Sequence, residues 1–234
     1  NKHNSFGCKI DNQSNNYSLL AVQGPKSIEL LQELTDVNLF DIKYYNFKIG
    51  SIAGIDEVIL SRTGYTGEIG FEIYVKNESV KQLWDALFAT SIDMKAIGLA
   101  ARDTLRLEKG FCLYGNDIND TTSPIEAGLG WITKFTKEFI NHENLKAQKE
   151  GGATKKLVGL ELIDKGIARN GYPIVNAEGA EIGIITSGTM SPTLNKAIAM
   201  AYVPKELSKV DSEILIQVRK KQIRAKVVAM PFLK

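Results

Sequence analysis

A glycine-bounded loop runs directly into an alternating segment in Arg62-Thr63-Gly64-Tyr65-Thr66-Gly67-Glu68-Ile69-Gly70-Phe71-Glu72-Ile73-Tyr74-Val75. The apolar residues Phe71, Ile73 and Val75 alternate with Glu72 and Tyr74, which is the period of a half-buried strand. This alternation predicts that the apolar side chains face a core and that Glu72 points the other way. The stretch therefore predicts a strand with one carboxylate on the face opposite its core.

The glycines of this stretch allow two interpretations. Glycine lets a backbone turn tightly and lets another group approach it closely. One interpretation is a glycine-rich hairpin with no ligand. In the other, Gly64, Gly67 and Gly70 leave room for a flat ring, and Glu72 accepts two adjacent N–H donors. The 2-amino-4-oxo edge of a pterin offers such a pair of donors.

Two helices are predicted from the spacing of apolar residues. Residues 79–90 carry Val80, Leu83, Trp84, Leu87 and Phe88 at helical intervals, which predicts an amphipathic helix. A second helix is predicted from about Leu99 to Lys109, with Gly110 as the residue that ends it. Earlier in the chain, residues 17–22 predict a buried strand.

Arg102, Arg106 and Lys109 are predicted to share one face of the second helix. Because the two arginines stand one turn apart, they would be able to clamp a carboxylate or a carbonyl oxygen. The alternative is a solvated helix face in which Asp103 pairs with Arg106. Further along, the glycine, asparagine and aspartate of residues 114–118 predict a turn.

The pattern changes after the polar segment 149–156, which we take as the boundary between two domains. Many short strands without helices predict a small barrel or sandwich after that boundary. The predicted strands cover residues 157–163, 172–175, 181–186, 197–203, 213–219 and 223–229.

Composition excludes several classes of function. The net charge of +2 is too small to indicate a nucleic-acid partner, and no apolar run is long enough to span a membrane. The two cysteines, Cys8 and Cys112, have no paired spacing, which favours a reducing cytoplasm or organelle matrix. Neither His3 nor His142 has a second metal-binding residue of zinc-site spacing beside it, so we predict no metal site.

A resemblance adds to these predictions. The chain resembles the aminomethyltransferase, or T-protein, family of the glycine cleavage system along essentially its whole length. The resemblance is carried by Gly64-Tyr65-Thr66-Gly67-Glu68, Gly70-Phe71-Glu72, Gly98-Leu99-Ala100-Ala101-Arg102-Asp103-Thr104-Leu105-Arg106-Leu107-Glu108 and Leu113-Tyr114-Gly115-Asn116-Asp117-Ile118, with Leu19-Leu20-Ala21-Val22-Gln23-Gly24-Pro25, Thr186-Ser187-Gly188, Ser191-Pro192 and Met230-Pro231-Phe232.

The resemblance implies an α+β fold in two parts. Residues 1–150 would be the remainder of a folate-binding α+β domain, and residues 155–234 a C-terminal β-barrel domain. It further implies transfer of a methylene carbon from an aminomethyl-lipoyl arm of the H-protein to tetrahydrofolate, with release of ammonia. The implied partner is the lipoylated H-protein, and the implied location is the cytoplasm, or the mitochondrial matrix of a eukaryote.

Four site residues follow from the resemblance. Glu72 would hold the pterin edge, Arg102 would contact the substrate, and Tyr65 and Trp131 would line the folate cavity, close to Glu72 and Arg102. No catalytic residue is assigned, because the family's aspartate is expected in an N-terminal segment that precedes this sequence. The chain by itself is therefore expected to show no turnover.

Three other classes stay open at the level of the sequence, and one of them is a purely structural fragment with no ligand, which a folate-binding titration would distinguish. Another is a non-catalytic folate-binding relative that assists iron–sulfur assembly, whose motif is Lys-Gly-Cys-Tyr-x-Gly-Gln-Glu. The chain instead has Lys109-Gly110-Phe111-Cys112-Leu113-Tyr114-Gly115-Asn116-Asp117, which favours the transferase. The third class is a folate-dependent demethylase of the same fold, against which the Gly-Asn-Asp-Ile element weighs.

Overall fold

The computed structural model describes residue 5 and residues 7–234. His3, which was considered as a zinc ligand, lies outside these residues. The chain divides into two compact units, Asn1–Ile97 and Gly98–Lys234, which are described separately. Across the described ranges, none of the helices has the length and apolar character that crossing a bilayer requires.

The first unit is built on one antiparallel sheet of four strands in the order β1-β4-β3-β2. Two helices accompany it. The elements are β1 (Tyr17–Gln23), α1 (Ser27–Gln32), β2 (Phe47–Ile52), β3 (Ile55–Ser61), β4 (Gly70–Lys76) and α2 (Val80–Phe88).

Strand β4 supplies the centre of the first core. Phe71, Ile73 and Val75 are almost completely buried, whereas Glu72 and Tyr74 are half-buried on the other face. The predicted alternation is therefore confirmed. It fixes the direction of Glu72, because a shift of one residue would place this carboxylate in the apolar core.

Strand β1 corrects one prediction. Residues 17–22 were predicted as a buried strand, but among the described strands β1 lies at an edge of the sheet, and Val22 is its only buried residue. On the face that carries Glu72, the side chains of Leu19, Phe47 and Ile49 are exposed. An apolar run alone does not distinguish a central strand from an edge strand, because it does not reveal what covers each face.

Helix α2 buries only part of its apolar stripe. Leu83 and Leu87 are buried in the core, but Trp84 is 45% exposed and Phe88 42% exposed. Their rings pack on each other, with centroids 4.9 Å apart. The predicted helix is present, but only Leu83 and Leu87 of its apolar stripe are buried in the core.

The second unit contains two helices and a closed antiparallel barrel with the strand order β10-β5-β8-β7-β6-β9. The elements are α3 (Leu99–Glu108), α4 (His142–Gly151), β5 (Lys155–Leu162), β6 (Pro173–Val175), β7 (Glu181–Ser191), β8 (Lys196–Pro204), β9 (Glu213–Val218) and β10 (Lys221–Val228). All six predicted strands are present, which confirms an α+β fold that ends in a β-barrel. The polar segment 149–156, in contrast, is partly helical because α4 extends into it.

Strand β8 is buried on both faces. Ala199, Ala201 and Val203 point into the barrel core. Ile198, Met200 and Tyr202 point outward and pack with Leu107 of α3 in a separate apolar cluster. Helix α3 therefore covers the outside of the barrel, which places its polar residues against strand β7.

The burial difference within α2 gives a stability prediction. Leu83→Ala should lower the free energy of unfolding by about 2–5 kcal/mol, because it empties a fully buried site. Trp84→Ala removes more atoms but should cost no more than about 1 kcal/mol, because nearly half of that side chain is already in water. Urea unfolding of both variants measures the difference, and equal losses would contradict this placement of the helix.

Candidate functional site

Glu72 lies on the face of β4 opposite the apolar core, where a residue of the preceding loop binds it. Its Oε2 accepts a hydrogen bond of 2.5 Å from Thr63 Oγ1. Burial raises the pKa of the Tyr74 hydroxyl, and the negative charge of Glu72 raises it further. Burial also raises the pKa of Tyr44, followed by its interaction with Tyr45 and, as the smallest cause, the charge of Glu72. Glu72 is thus a carboxylate beside two tyrosines, and Tyr65 is half-buried in the loop that precedes it.

The glycines before Glu72 serve a different purpose from the one predicted. A Cβ atom on Gly64 would lie 2.0 Å from Gln23 Oε1, and one on Gly70 would lie 2.3 Å from it. The Nε2 of Gln23 donates to the carbonyls of Thr63 and Phe71 at 3.2 and 3.1 Å. At these two positions the space is filled by Gln23 and not left for a ring. Gln23 braces the loop on which Thr63 reaches Glu72.

Arg102 is exposed on the first turns of α3, in the second unit. It lines a surface cavity of about 260 Å³. The other lining residues come from the same helix and from the turn that follows it: Leu99, Asp103, Arg106, Leu113 and Asn116. A guanidinium here presents N–H donors in a fixed planar fork, which suits a carboxylate or carbonyl group.

Arg106 is buried, with only 1% of its surface exposed. Its Nη1 lies 2.7 Å from Asp117 Oδ2, and its Nη2 lies 2.6 Å from Asp103 Oδ1. Burial alone lowers the pKa of Arg106, but the hydrogen bond that Arg106 donates to Asp103 and the charge of Asp117 outweigh it, so the pKa is raised. Both arginines border one cavity, but the guanidinium of Arg106 is already bound to Asp103 and Asp117. A clamp of both arginines on one ligand stays a prediction. The alternative pair with Asp103 exists, between a buried guanidinium and a half-exposed carboxylate.

Asp117 was predicted only as part of a turn, yet it is 1% exposed. Its carboxylate accepts from Arg106 Nη1, from the backbone N–H of Leu113 at 2.8 Å and from Ser187 Oγ at 2.8 and 2.9 Å. Its backbone carbonyl accepts from the Tyr202 hydroxyl at 2.9 Å. Asp117 therefore fixes the turn to α3 and to two barrel strands.

A second buried carboxylate lies at the end of the same helix. Glu108 Oε1 accepts a hydrogen bond of 2.5 Å from Ser191 Oγ, and Glu108 Oε2 accepts one of 2.9 Å from Thr193 Oγ1. The backbone N–H of Leu233 also donates to the Glu108 carbonyl. Close by, burial raises the pKa of the Cys112 thiol to about 11, with Asp117 as a further cause and Arg106 opposing it. This thiol is protonated at neutral pH.

Trp131 is 70% exposed in a segment of turns between α3 and α4. Its role as a wall of the folate cavity stays a prediction. Glu72 belongs to the first unit, whereas Arg102 and Trp131 belong to the second, so their shared cavity stays a prediction as well.

Sequence reasoning missed the roles of four buried polar residues that organise the second unit, namely Asp117, Ser187, Glu108 and Ser191. Ser187 and Ser191 lie 70 or more positions beyond the residues they bind, and no local pattern connects them. The available signal was the pair of motifs Thr186-Ser187-Gly188 and Ser191-Pro192, which carry small hydroxyl residues four positions apart.

Comparison with known proteins covers both parts of the chain. The family model of the GCVT N-terminal domain matches residues 1–137, and that of the glycine cleavage T-protein C-terminal barrel domain matches residues 155–234. A Flavobacterium psychrophilum protein named aminomethyltransferase is 56% identical over 99% of this chain and 65% of its own length. A Bacteroides fragilis protein of the same name is 55% identical, with the same coverage.

A solved structure agrees with these relatives. The glycine cleavage system aminomethyltransferase T from Bartonella henselae superimposes with a TM-score of 0.84 at 32% identity, over 93% of this chain and 60% of that chain. The chain spans 65% of the length of the Flavobacterium and Bacteroides relatives. With both domain models matched and more than half of its residues shared with named relatives, the chain belongs to the glycine cleavage T-protein family.

Proposed function

We propose that the protein is a tetrahydrofolate-dependent aminomethyltransferase of the glycine cleavage system. The observation that carries this proposal is the match of both T-protein domain models, together with relatives named aminomethyltransferase at 55–56% identity. The iron–sulfur assembly relative and the demethylase have no such support among these relatives. Because the relatives are bacterial, the proposed location is the cytoplasm.

The proposed reaction moves one carbon without changing its oxidation state. The methylene carbon leaves the lipoyl sulfur of the H-protein and its own amino nitrogen, and it forms bonds to two nitrogens of tetrahydrofolate. The two folate N–H protons end on the dihydrolipoyl thiol and on ammonia. The protein's main task is therefore to orient the reacting groups, which can remove a large part of the barrier.

Glu72 is the proposed anchor of the pterin ring. Its carboxylate lies on the face of β4 opposite the core and is bound by Thr63. It offers two acceptor oxygens to the adjacent N–H donors of the pterin. Arg102 is the proposed contact to a carboxylate or carbonyl oxygen of the substrate, from the wall of its cavity. Tyr65 and Trp131 are the proposed lining of the folate site. No catalytic residue is assigned among these 234 residues.

Replacement of Glu72 tests the proposed function. In the whole protein, Glu72→Ala should weaken tetrahydrofolate binding by roughly 10–150-fold, because a charged hydrogen-bond partner contributes on the order of 1.5–3 kcal/mol. Glu72→Gln should preserve packing better but still weaken binding, because its amide nitrogen opposes a donor. Equilibrium binding of tetrahydrofolate measures both effects.

The matched control for Glu72 is Glu68→Ala, which removes an exposed carboxylate from the same loop. It should leave the dissociation constant unchanged. Unchanged tetrahydrofolate affinity in Glu72→Ala, or an equal loss in Glu68→Ala, would refute the pterin role.

The hairpin between β9 and β10 is the proposed docking element for the H-protein. Its tip carries Arg219, Lys220 and Lys221, all of them exposed. Arg224 and Lys226, by contrast, form ion pairs with Asp164 and Asp211 inside the same unit. The tip is thus a compact cationic surface that suits an acidic carrier.

Reversal of charge at this tip tests the docking proposal. In the whole protein, the double variant Lys220→Glu and Lys221→Glu should raise KM for the H-protein at low salt and leave kcat unchanged, because surface charges act mainly on encounter. The control is a double reversal at Lys146 and Lys209, two exposed lysines elsewhere in the second unit. An equal rise of KM in the two double variants, or no change of KM at low salt, would refute the docking proposal.

A further inference from the structure

The cavity that holds Arg102 is formed by two segments of the second unit. Arg102, Asp103 and Arg106 reach it from α3, whereas Leu113 and Asn116 reach it from the turn at residues 113–118. The turn is not part of either sheet, and its β-pairing consists of one isolated bridge between Tyr114 and Ile118. Apart from a backbone hydrogen bond from Phe111 to the Arg106 carbonyl, the spacing of the two walls depends on side-chain interactions.

One ion pair joins the two walls directly. Arg106 donates to Asp117 across 2.7 Å, and Arg106 also donates to the carbonyl of Phe111 at 3.1 Å. Asp117 in turn holds the N–H of Leu113, which is itself a cavity residue. Any rotation of the Arg106 or Asp117 side chain would therefore move a wall of the cavity.

Ser187 on the barrel fixes both members of this pair through one hydroxyl group. Its Oγ accepts a hydrogen bond of 2.8 Å from Arg106 Nη2 and donates to both carboxylate oxygens of Asp117 at 2.8 and 2.9 Å. The register between β7 and β8 shifts just before Ser187, and such irregularities redirect side chains. Ser187 is 3% exposed and does not line the cavity.

We propose that Ser187 is a positioning residue, which holds Arg106 and Asp117 so that the two cavity walls stay at the spacing in which Arg102 contacts the folate substrate. The proposal rests on the proposed function, because it takes tetrahydrofolate as the ligand of this cavity. Ser187 acts through its two neighbours and does not touch the substrate. A hydroxyl group suits this position, because it can accept a hydrogen bond from the cation Arg106 and donate one to the anion Asp117.

Ser191 provides a matched control on the same strand. It is fully buried, and its hydroxyl donates to a carboxylate of α3, that of Glu108. Glu108, however, does not line the cavity. Loss of either serine hydroxyl therefore removes a comparable buried hydrogen bond, but only the loss at Ser187 frees a cavity wall.

The experiment compares four variants of the whole protein: Ser187→Ala, Ser191→Ala, Arg102→Ala and the combination of Ser187→Ala with Arg102→Ala. The dissociation constant for tetrahydrofolate and the melting temperature are measured for each. We expect both serine variants to melt at a similarly lower temperature. Ser187→Ala should weaken tetrahydrofolate binding about 10-fold, because the moved wall displaces the Arg102 contact. The dissociation constant of Ser191→Ala should stay within about twofold of that of the parent.

The combined variant separates positioning from a general loss of stability. Because Ser187 acts on the wall that carries Arg102, replacing Ser187 should raise the dissociation constant by less than about twofold once Arg102 is absent. Equal weakening by the two serine variants, or a full additional loss in the combination, would overturn the positioning role. If Ser187→Ala does not fold, Ser187→Cys replaces it, since a thiol fills the site but forms weaker hydrogen bonds.

The same set of variants separates this proposal from the proposed function. Weaker binding in Arg102→Ala with unchanged binding in Ser187→Ala would overturn the positioning role only. Unchanged binding in Arg102→Ala would remove the cavity from the folate site. It would overturn both the proposed contact of Arg102 and the positioning role of Ser187.

Discussion

A buried ion pair between Arg106 and Asp117 is the interaction on which the second unit depends. Moving a guanidinium and a carboxylate out of water costs several kcal/mol each, and the cost is recovered only if every N–H and lone pair finds a partner. Here the partners come from three places: the helix through Asp103, the turn through Leu113 and the barrel through Ser187. The ion pair can therefore exist only when helix, turn and barrel are assembled together.

The proposed substrate contacts are fixed by interactions of the same kind in each unit. In the first unit, Glu72 is oriented by Thr63, and the loop of Thr63 is braced by Gln23. In the second unit, Arg102 lies on a helix that is locked by Arg106. In both cases a polar residue with no proposed ligand contact, half-buried in the first unit and buried in the second, holds the element that carries the proposed contact. Preorganisation of this kind lowers the cost of binding because the site does not have to be ordered by the ligand.

The sequence predicted those features that depend on neighbouring residues. The alternation of β4 placed Glu72 opposite Phe71 and Ile73, and short runs between turns located all six barrel strands, because periodicity and turn chemistry are local. It failed where the deciding partner is distant. Trp84 belongs to the apolar stripe of its helix and yet is nearly half exposed. Arg106 was predicted as part of a ligand clamp, whereas the distant Ser187 and Asp117 bind its guanidinium. The glycines at 64 and 70 were recognised as sites of close approach, but the approaching group, Gln23, lies more than 40 residues earlier. The resemblance to the T-protein family supplied the reaction, which periodicity alone did not.

A double-mutant cycle on Arg106 and Asp117 tests the central claim most directly. The variants are Arg106→Met, Asp117→Asn and the two combined, and the free energy of unfolding is measured in urea at neutral pH. Each single change should cost about 3–5 kcal/mol, because it leaves a buried charge without its partner. The combined variant should cost less than the sum of the two, with a coupling of about 1–3 kcal/mol, since neither charge is then left alone. Additive losses, or single losses below about 1 kcal/mol, would contradict a structure that is organised around this ion pair.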